Sequence, residues 1–135
     1  MGCFEQALRL QPGNARLHLR LAEALGAQEK RDEAMASLRQ AVQLRPDYWE
    51  ARYFLGVELA VRGRVQEAGN QFSEVVRLRP DYAPAHLNLG VALAKQNRLE
   101  EARAEFRETL RLAPTNKSAQ EYLSRLEARP APAPR

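Results

Sequence analysis

The chain is poor in the residues that most chemistry requires. Its 135 residues contain one cysteine, two histidines and one tryptophan, and aromatic residues make up only 7%. One cysteine, Cys3, excludes an internal disulfide framework, which is compatible with a reducing compartment but does not require one. No apolar run approaches the roughly 20 residues of a membrane span. The N-terminus lacks the charged and apolar regions of a secretory signal, so the expectation is a cytoplasmic chain without membrane insertion. No Gly-rich phosphate loop is present. Charge of neither sign dominates: 21 basic and 17 acidic residues leave +4, too mild by itself to indicate nucleic-acid binding.

What the chain does have is a beat. Pro12, Pro46, Pro80 and Pro114 stand 34 residues apart, and on that register Ala15–Tyr48, Trp49–Tyr82 and Ala83–Asn116 become three copies of one unit without insertion or deletion. Such regularity predicts stacked repeats instead of a single globular core. In the first half of each unit Leu21, Leu55 and Leu89 are followed by Ala22, Gly56 and Gly90, and then by Leu25, Leu59 and Leu93 one helical turn on. This is an amphipathic helix, here helix A. In the second half Ala34, Ala68 and Ala102 precede Leu38, Phe72 and Phe106, then Ala41, Val75 and Thr109, the stripe of a helix B. The small residues allow the two backbones to approach within the roughly 8–10 Å of close-packed helices. Each proline follows the leucine ending helix B (Leu10, Leu44, Leu78, Leu112) and stops that helix.

These columns resemble the tetratricopeptide repeat, whose signature runs Trp, Leu-Gly, Tyr, then Ala, an aromatic and Pro over a 34-residue period. The match reads Leu55-Gly56, Ala68-x3-Phe72 and Pro80 in the middle unit, and Leu89-Gly90, Ala102-x3-Phe106 and Pro114 in the next. The first is looser, with Leu21-Ala22, Ala34-x3-Leu38 and Pro46. The family tryptophan position holds His18, Arg52 and His86, and the tyrosine position holds Leu25, Leu59 and Leu93. The resemblance implies an all-α, right-handed superhelical solenoid of antiparallel helix pairs, about eight helices in all. Its domain spans 1–128, with a half repeat over 3–14, full repeats over 15–48, 49–82 and 83–116, and a capping helix over 117–128.

The ends and corners refine this reading. Met1-Gly2-Cys3 invites lipidation, but Gln6 stands where Ser or Thr is wanted. Moreover Phe4, Ala7, Leu8, Leu10 and Pro12 keep the helix B phase, so Phe4–Gln11 reads as a second helix whose first is absent. Asn or Asp beside the corner prolines can cap the next helix. Of the turns from A to B, Gly63 and Asn97 suit a left-handed cap, whereas Glu29 signals a strained or mobile turn. Residues 129–135 read as a flexible Pro/Ala tail.

No catalytic constellation emerges. His18 and His86 share one phase two units apart, roughly 20 Å at about 10 Å per helix layer, and cannot share a metal. Cys3 has no histidine partner in the repeat frame. Asp32-Glu33 and Glu100-Glu101 complement the dipole at the start of helix B. Arg77 and Arg111 share a phase that could form an outer ridge for RNA, but Glu74 and Glu108 lie three residues before them and no aromatics are interleaved. The expectation is a chain with no catalytic activity, cofactor or metal.

What remains is the surface that the resemblance implies is concave, made by helix A. Its lining positions carry Arg16, Leu19, Glu23, Gly26 and Ala27 in the first unit, and Glu50, Tyr53, Val57, Ala60 and Val61 in the second. In the third they carry Pro84, Leu87, Val91, Ala94 and Lys95, with Asn88 as a polar rung beside them. An apolar stripe centred on Tyr53 suits an amphipathic helix or an extended apolar peptide. Family members that clamp chaperone carboxylates use basic and amide side chains where this chain has Leu19, Glu23, Phe54, Pro84 and Asn88, so that use is not expected. The expected partner is a protein or peptide. Alternatives are self-association through the half repeat as a homo-oligomer, and a substrate-presenting arm of a larger enzyme such as a glycosyltransferase.

Overall fold

The computed structural model describes residues 2–128, apart from the side chains of residues 2, 4 and 5. The expected tail over 129–135 and the side chain of Phe4 lie outside the described residues. Eight α-helices fill the described part: α1 (Gly2–Leu10), α2 (Ala15–Ala27), α3 (Arg31–Leu44), α4 (Trp49–Val61), α5 (Val65–Leu78), α6 (Ala83–Lys95), α7 (Leu99–Leu112) and α8 (Lys117–Ala128). The 34-residue beat resolves into a 13-residue helix, a three-residue turn, a 14-residue helix and a four-residue corner. Antiparallel pairs α2–α3, α4–α5 and α6–α7 stack in chain order. Apart from a contact between α6 and α8, the substantial helix contacts all join neighbours in sequence.

The repeated columns form the core. Leu25, Leu59 and Leu93 of the first helices are buried, as are Ala34, Ala68, Ala102, Leu38, Phe72, Phe106, Ala41, Val75 and Thr109 of the second. Thr109 satisfies its hydroxyl by donating to the Glu105 carbonyl at 2.8 Å, so its burial leaves no orphaned group. A Cβ placed on Gly56 would meet Phe72 Cε1 at 2.7 Å, and one on Gly90 would meet Phe106 Cε1 at 2.7 Å. Glycine at these two crossings is thus a steric requirement of the aromatic ring opposite.

The turns within each pair close alike. The backbone N–H groups of Lys30, Arg64 and Arg98 donate to the carbonyls of Leu25, Leu59 and Leu93, each at 2.9 Å, the longer bond of a Schellman closure. That closure needs a left-handed residue, supplied by Glu29 (φ 62°), Gly63 (φ 78°) and Asn97 (φ 62°). Glu29 is the strained member, as its side chain forewarned. Glu29→Gly should therefore raise the unfolding free energy by about 0.5–1 kcal/mol, the relief of the left-handed penalty less glycine's chain-entropy cost. Urea denaturation followed by circular dichroism would show a higher midpoint.

The corners depart from the sequence expectation. Asn14 and Asn116 do cap α2 and α8, accepting from Leu17 N at 3.2 Å and Ala119 N at 2.9 Å. Asp47 and Asp81 cap nothing. The residues at the starts of α4 and α6 are Tyr48 and Tyr82, without side-chain caps, while the aspartates pair with Arg45 at 3.5 Å and Arg79 at 3.3 Å. A second tie holds every corner: His18 Nε2, Arg52 Nε, His86 Nε2 and Gln120 Nε2 lie 2.9, 2.6, 2.7 and 3.0 Å from the carbonyl oxygens of Pro12, Pro46, Pro80 and Pro114. The column that holds tryptophan in the repeat signature here supplies a hydrogen-bond donor, and Gln120 carries it into α8.

Candidate partner-binding face

Helices α2, α4 and α6 contribute to three recesses between neighbouring pairs. The first, of about 350 Å³, is bounded by Arg16, Leu19, Arg20 and Glu23 of α2, Glu50 and Phe54 of α4, and Arg45 and Tyr48 from the corner. Beside it an opening of about 410 Å³ lies among Ala22, Glu23 and Gly26 of α2, Ala34 and Leu38 of α3, and Phe54, Val57 and Glu58 of α4. Its counterpart between the next two pairs has only about 50 Å³ and is lined by Ala60, Val65, Ala68, Phe72, Asn88, Val91, Ala92 and Lys95.

The sequence-expected lining residues divide among these places. Arg16, Leu19, Glu23 and Glu50 meet at the first recess, Glu23 and Val57 at the second, and Asn88, Val91 and Lys95 at the third. Leu19 is only 3% exposed and belongs to the core, so it offers a wall and little contact area. Leu87 is half-buried against the core, whereas Val61 stands 64% exposed.

Tyr53 is more structural than its place at the middle of an apolar stripe suggests. Its ring lies edge-on to Phe54 and Tyr82 at centroid distances of 5.9 and 5.2 Å and tilted against Phe72 at 5.9 Å. Its hydroxyl accepts from Asn88 Nδ2 at 3.1 Å, tying α4 to α6. Burial pushes the phenol above its ordinary range, with the neighbouring Tyr82 adding to the rise and the Asn88 hydrogen bond opposing it. Tyr53 is thus a neutral hydroxyl at ordinary pH, and Asn88 is spent on it. On this face the aromatic residue open to solvent is instead Phe54, 40% exposed and shared by the first two recesses. Sequence reading left it out of the lining. Its signal was an aromatic residue in a column that holds Arg20 and Asn88 in the other two full repeats.

Charge around the face is largely internal. Arg20 donates to Glu23 Oε2 at 2.9 Å, and this carboxylate holds the guanidinium above its ordinary pKa. Arg31 donates to Glu58 Oε1 at 3.1 Å. Away from the face, the arginine ridge is matched by acids: Arg77 binds Glu74 at 2.8 Å and Arg111 binds Glu108 at 2.5 Å, and both carboxyls lie below their ordinary range because of those hydrogen bonds. Among the described residues no group of three or more His, Cys, Asp and Glu could hold a metal ion, and no helix is long and apolar enough to cross a membrane.

Comparison with known proteins places this geometry. The family model described as tetratricopeptide repeat matches residues 19–83 and 58–117. No curated protein matches the chain in sequence. Among solved structures, YrrB, described as a TPR protein with an unusual peptide-binding site, is similar at 31% identity and a TM-score of 0.77, over 90% of this chain and 62% of that one. MamA is similar at 20% identity and a TM-score of 0.77, over 92% of this chain and 82% of that one. The first TPR of Spaghetti, solved with an HSP90 peptide, is similar at 21% identity and a TM-score of 0.78, over 84% of this chain and 90% of that one. The last two likenesses concern the fold.

Proposed function

We propose that this chain, which belongs to the tetratricopeptide repeat family, is a non-catalytic scaffold that holds a protein or peptide segment against the face of α2, α4 and α6. The observation that carries this reading is apolar surface left open on α4: Phe54, which lines an apolar opening that the neighbouring pairs do not fill, and Val61 two turns further along the same helix. Large exposed apolar side chains grouped at a recess mark interaction sites more often than scattered ones do. Burial there contributes about 25 cal/mol per Å². The peptide-binding site described for YrrB, 31% identical, supports the same class of partner.

The test uses residues on this face that carry no part of the core. Val61→Glu together with Lys95→Glu should cut partner capture at least tenfold, about 1.4 kcal/mol, and leave helical signal and melting within error. The assay is capture from the source organism's lysate on the immobilised chain, identification by mass spectrometry, and titration of the purified partner. Unchanged affinity would remove the face from consideration. Self-association is a second reading, favoured by Leu10 of α1, which is 83% exposed. Sedimentation over a range of concentrations separates it from a monomeric scaffold.

A further inference from the structure

His86 of α6 is 5% exposed and holds both ring nitrogens against oxygen atoms. Nε2 lies 2.7 Å from the Pro80 carbonyl oxygen, and Nδ1 lies 2.8 Å from Glu105 Oε1 of α7. A carbonyl oxygen can only accept, so Nε2 carries a hydrogen. A neutral imidazole has a single N–H, and Nδ1 would then turn a lone pair toward a carboxylate oxygen at hydrogen-bond distance. A proton has to lie between them. It resides on the imidazole, the more basic group, since histidine ordinarily titrates near about 6.5 and glutamate near about 4.3. Rotating the ring by half a turn gives no escape, because both oxygens would then face C–H edges and two buried hydrogen bonds would be lost.

The same column in the other pairs separates the two contacts. One repeat earlier, Arg52 and Gln71 stand where His86 and Glu105 stand. Arg52 donates from Nε to the Pro46 carbonyl at 2.6 Å and from Nη1 to Gln71 Oε1 at 3.0 Å, a permanent cation that donates twice. Two repeats earlier the residues are His18 and Ser37. His18 makes its carbonyl tie through Nε2 at 2.9 Å, for which one N–H suffices. Gln120 makes that tie with an uncharged amide. The corner therefore asks for a donor, and the second acceptor, on the following helix, is what asks for a charge at His86. Burial alone disfavours a charged ring, so the carboxylate is the group that holds the charge there.

Glu108, one turn further along α7, also feels this ring. Its carboxyl is held below the ordinary range first by the Arg111 hydrogen bond, with the charges of Arg111 and His86 adding to it. At the corner Arg79 and Asp81 are engaged with each other at 3.3 Å. With both nitrogens spent on Pro80 and Glu105, no charged side chain of α5 or α8 is bonded to the ring.

We infer that the third helix pair is fastened by a proton-dependent brace: His86, as an imidazolium, bridges the Pro80 carbonyl and the Glu105 carboxylate, and loss of the Nδ1 proton detaches it from α7. The tie to Pro80 survives that loss, so the corner stays closed while the fastening between α6 and α7 opens at this point. The brace contributes while the ring is charged and the carboxylate ionised, and its contribution is lost as pH rises through the titration of the ring. The second pair, fastened by Arg52, keeps its brace throughout. This device does not depend on what the face of α2, α4 and α6 binds.

Nuclear magnetic resonance of the isotope-labelled chain, through correlations between ring nitrogens and ring hydrogens, reads the charge directly. At pH about 7.5, above the ordinary histidine range, His86 should carry hydrogens on both nitrogens and His18 on one. Glu105→Gln copies Gln71 of the second pair and lets an amide donate to Nδ1, so His86 should then be neutral at the same pH. His86→Gln keeps the corner tie by the means Gln120 uses and removes the titrating group. Between pH about 6 and about 9 the native urea midpoint should fall relative to that of His86→Gln by about 0.5 M, the loss of one charge-assisted hydrogen bond. A neutral His86 in the native chain at the first pH overturns the brace. So does a ring charge unaffected by Glu105→Gln, or native and His86→Gln midpoints that run parallel across the range.

Discussion

Phe72→Ala is expected to lower the unfolding free energy by about 3–5 kcal/mol, the cost of truncating a buried aromatic side chain and leaving its cavity behind. Phe72 is 1% exposed, touches the space above Gly56 and packs beneath Tyr53. It joins α5 to α4 at Gly56 and also lines the junction with α6. Its loss therefore weakens one pair and the interface with the next. Urea denaturation by circular dichroism should show the midpoint falling accordingly. A loss below about 1 kcal/mol would mean that the ring contributes little to the core.

The second large effect is expected at the partner of that ring. Gly56→Ala gains up to about 1 kcal/mol of helix propensity, yet its new Cβ would stand 2.7 Å from Phe72 Cε1. The ring is enclosed and has little room to swing aside. Overpacking of this kind costs about 1–3 kcal/mol, so the net result is a destabilisation of about 1–2 kcal/mol. In a Phe72→Leu background the same substitution recreates Ala22 with Leu38, a combination the chain already uses. There Gly56→Ala should be neutral or stabilising. The coupling, about 1–3 kcal/mol in a double-mutant cycle, is the quantity to measure; equal costs in both backgrounds would show that ring and glycine act independently.

This pairing also explains how much of the molecule could be read in advance. A strict period carries the helix pairs because one turn and one corner, repeated at fixed length, return every buried column to the same phase. Leu59, Phe72 and Val75 were accordingly legible as core. Hydrogen bonding was less so. Asp47 and Asp81 directly follow their prolines, one position short of the column of Asn14 and Asn116, so the cap position falls on Tyr48 and Tyr82 and the aspartates turn to Arg45 and Arg79; that offset of one residue decides the capping. At the candidate face, Tyr53 had the right column and a different duty, since its depth depends on Tyr82 and Asn88 arriving from the next pair. Phe54 and the open slot depend on differences in side-chain volume across three helices, which periodicity averages away.

The ties to the proline carbonyls have a consequence for the shape of the stack. An imidazole, a guanidinium and a carboxamide perform the same task at His18, Arg52, His86 and Gln120, so what this column conserves is a reach of six residues backward and not a charge or a bulk. Each bend is braced by the helix that follows it, from outside the loop itself. One edge of the rod can accordingly be re-coded electrically, joint by joint, while its pitch stays the same.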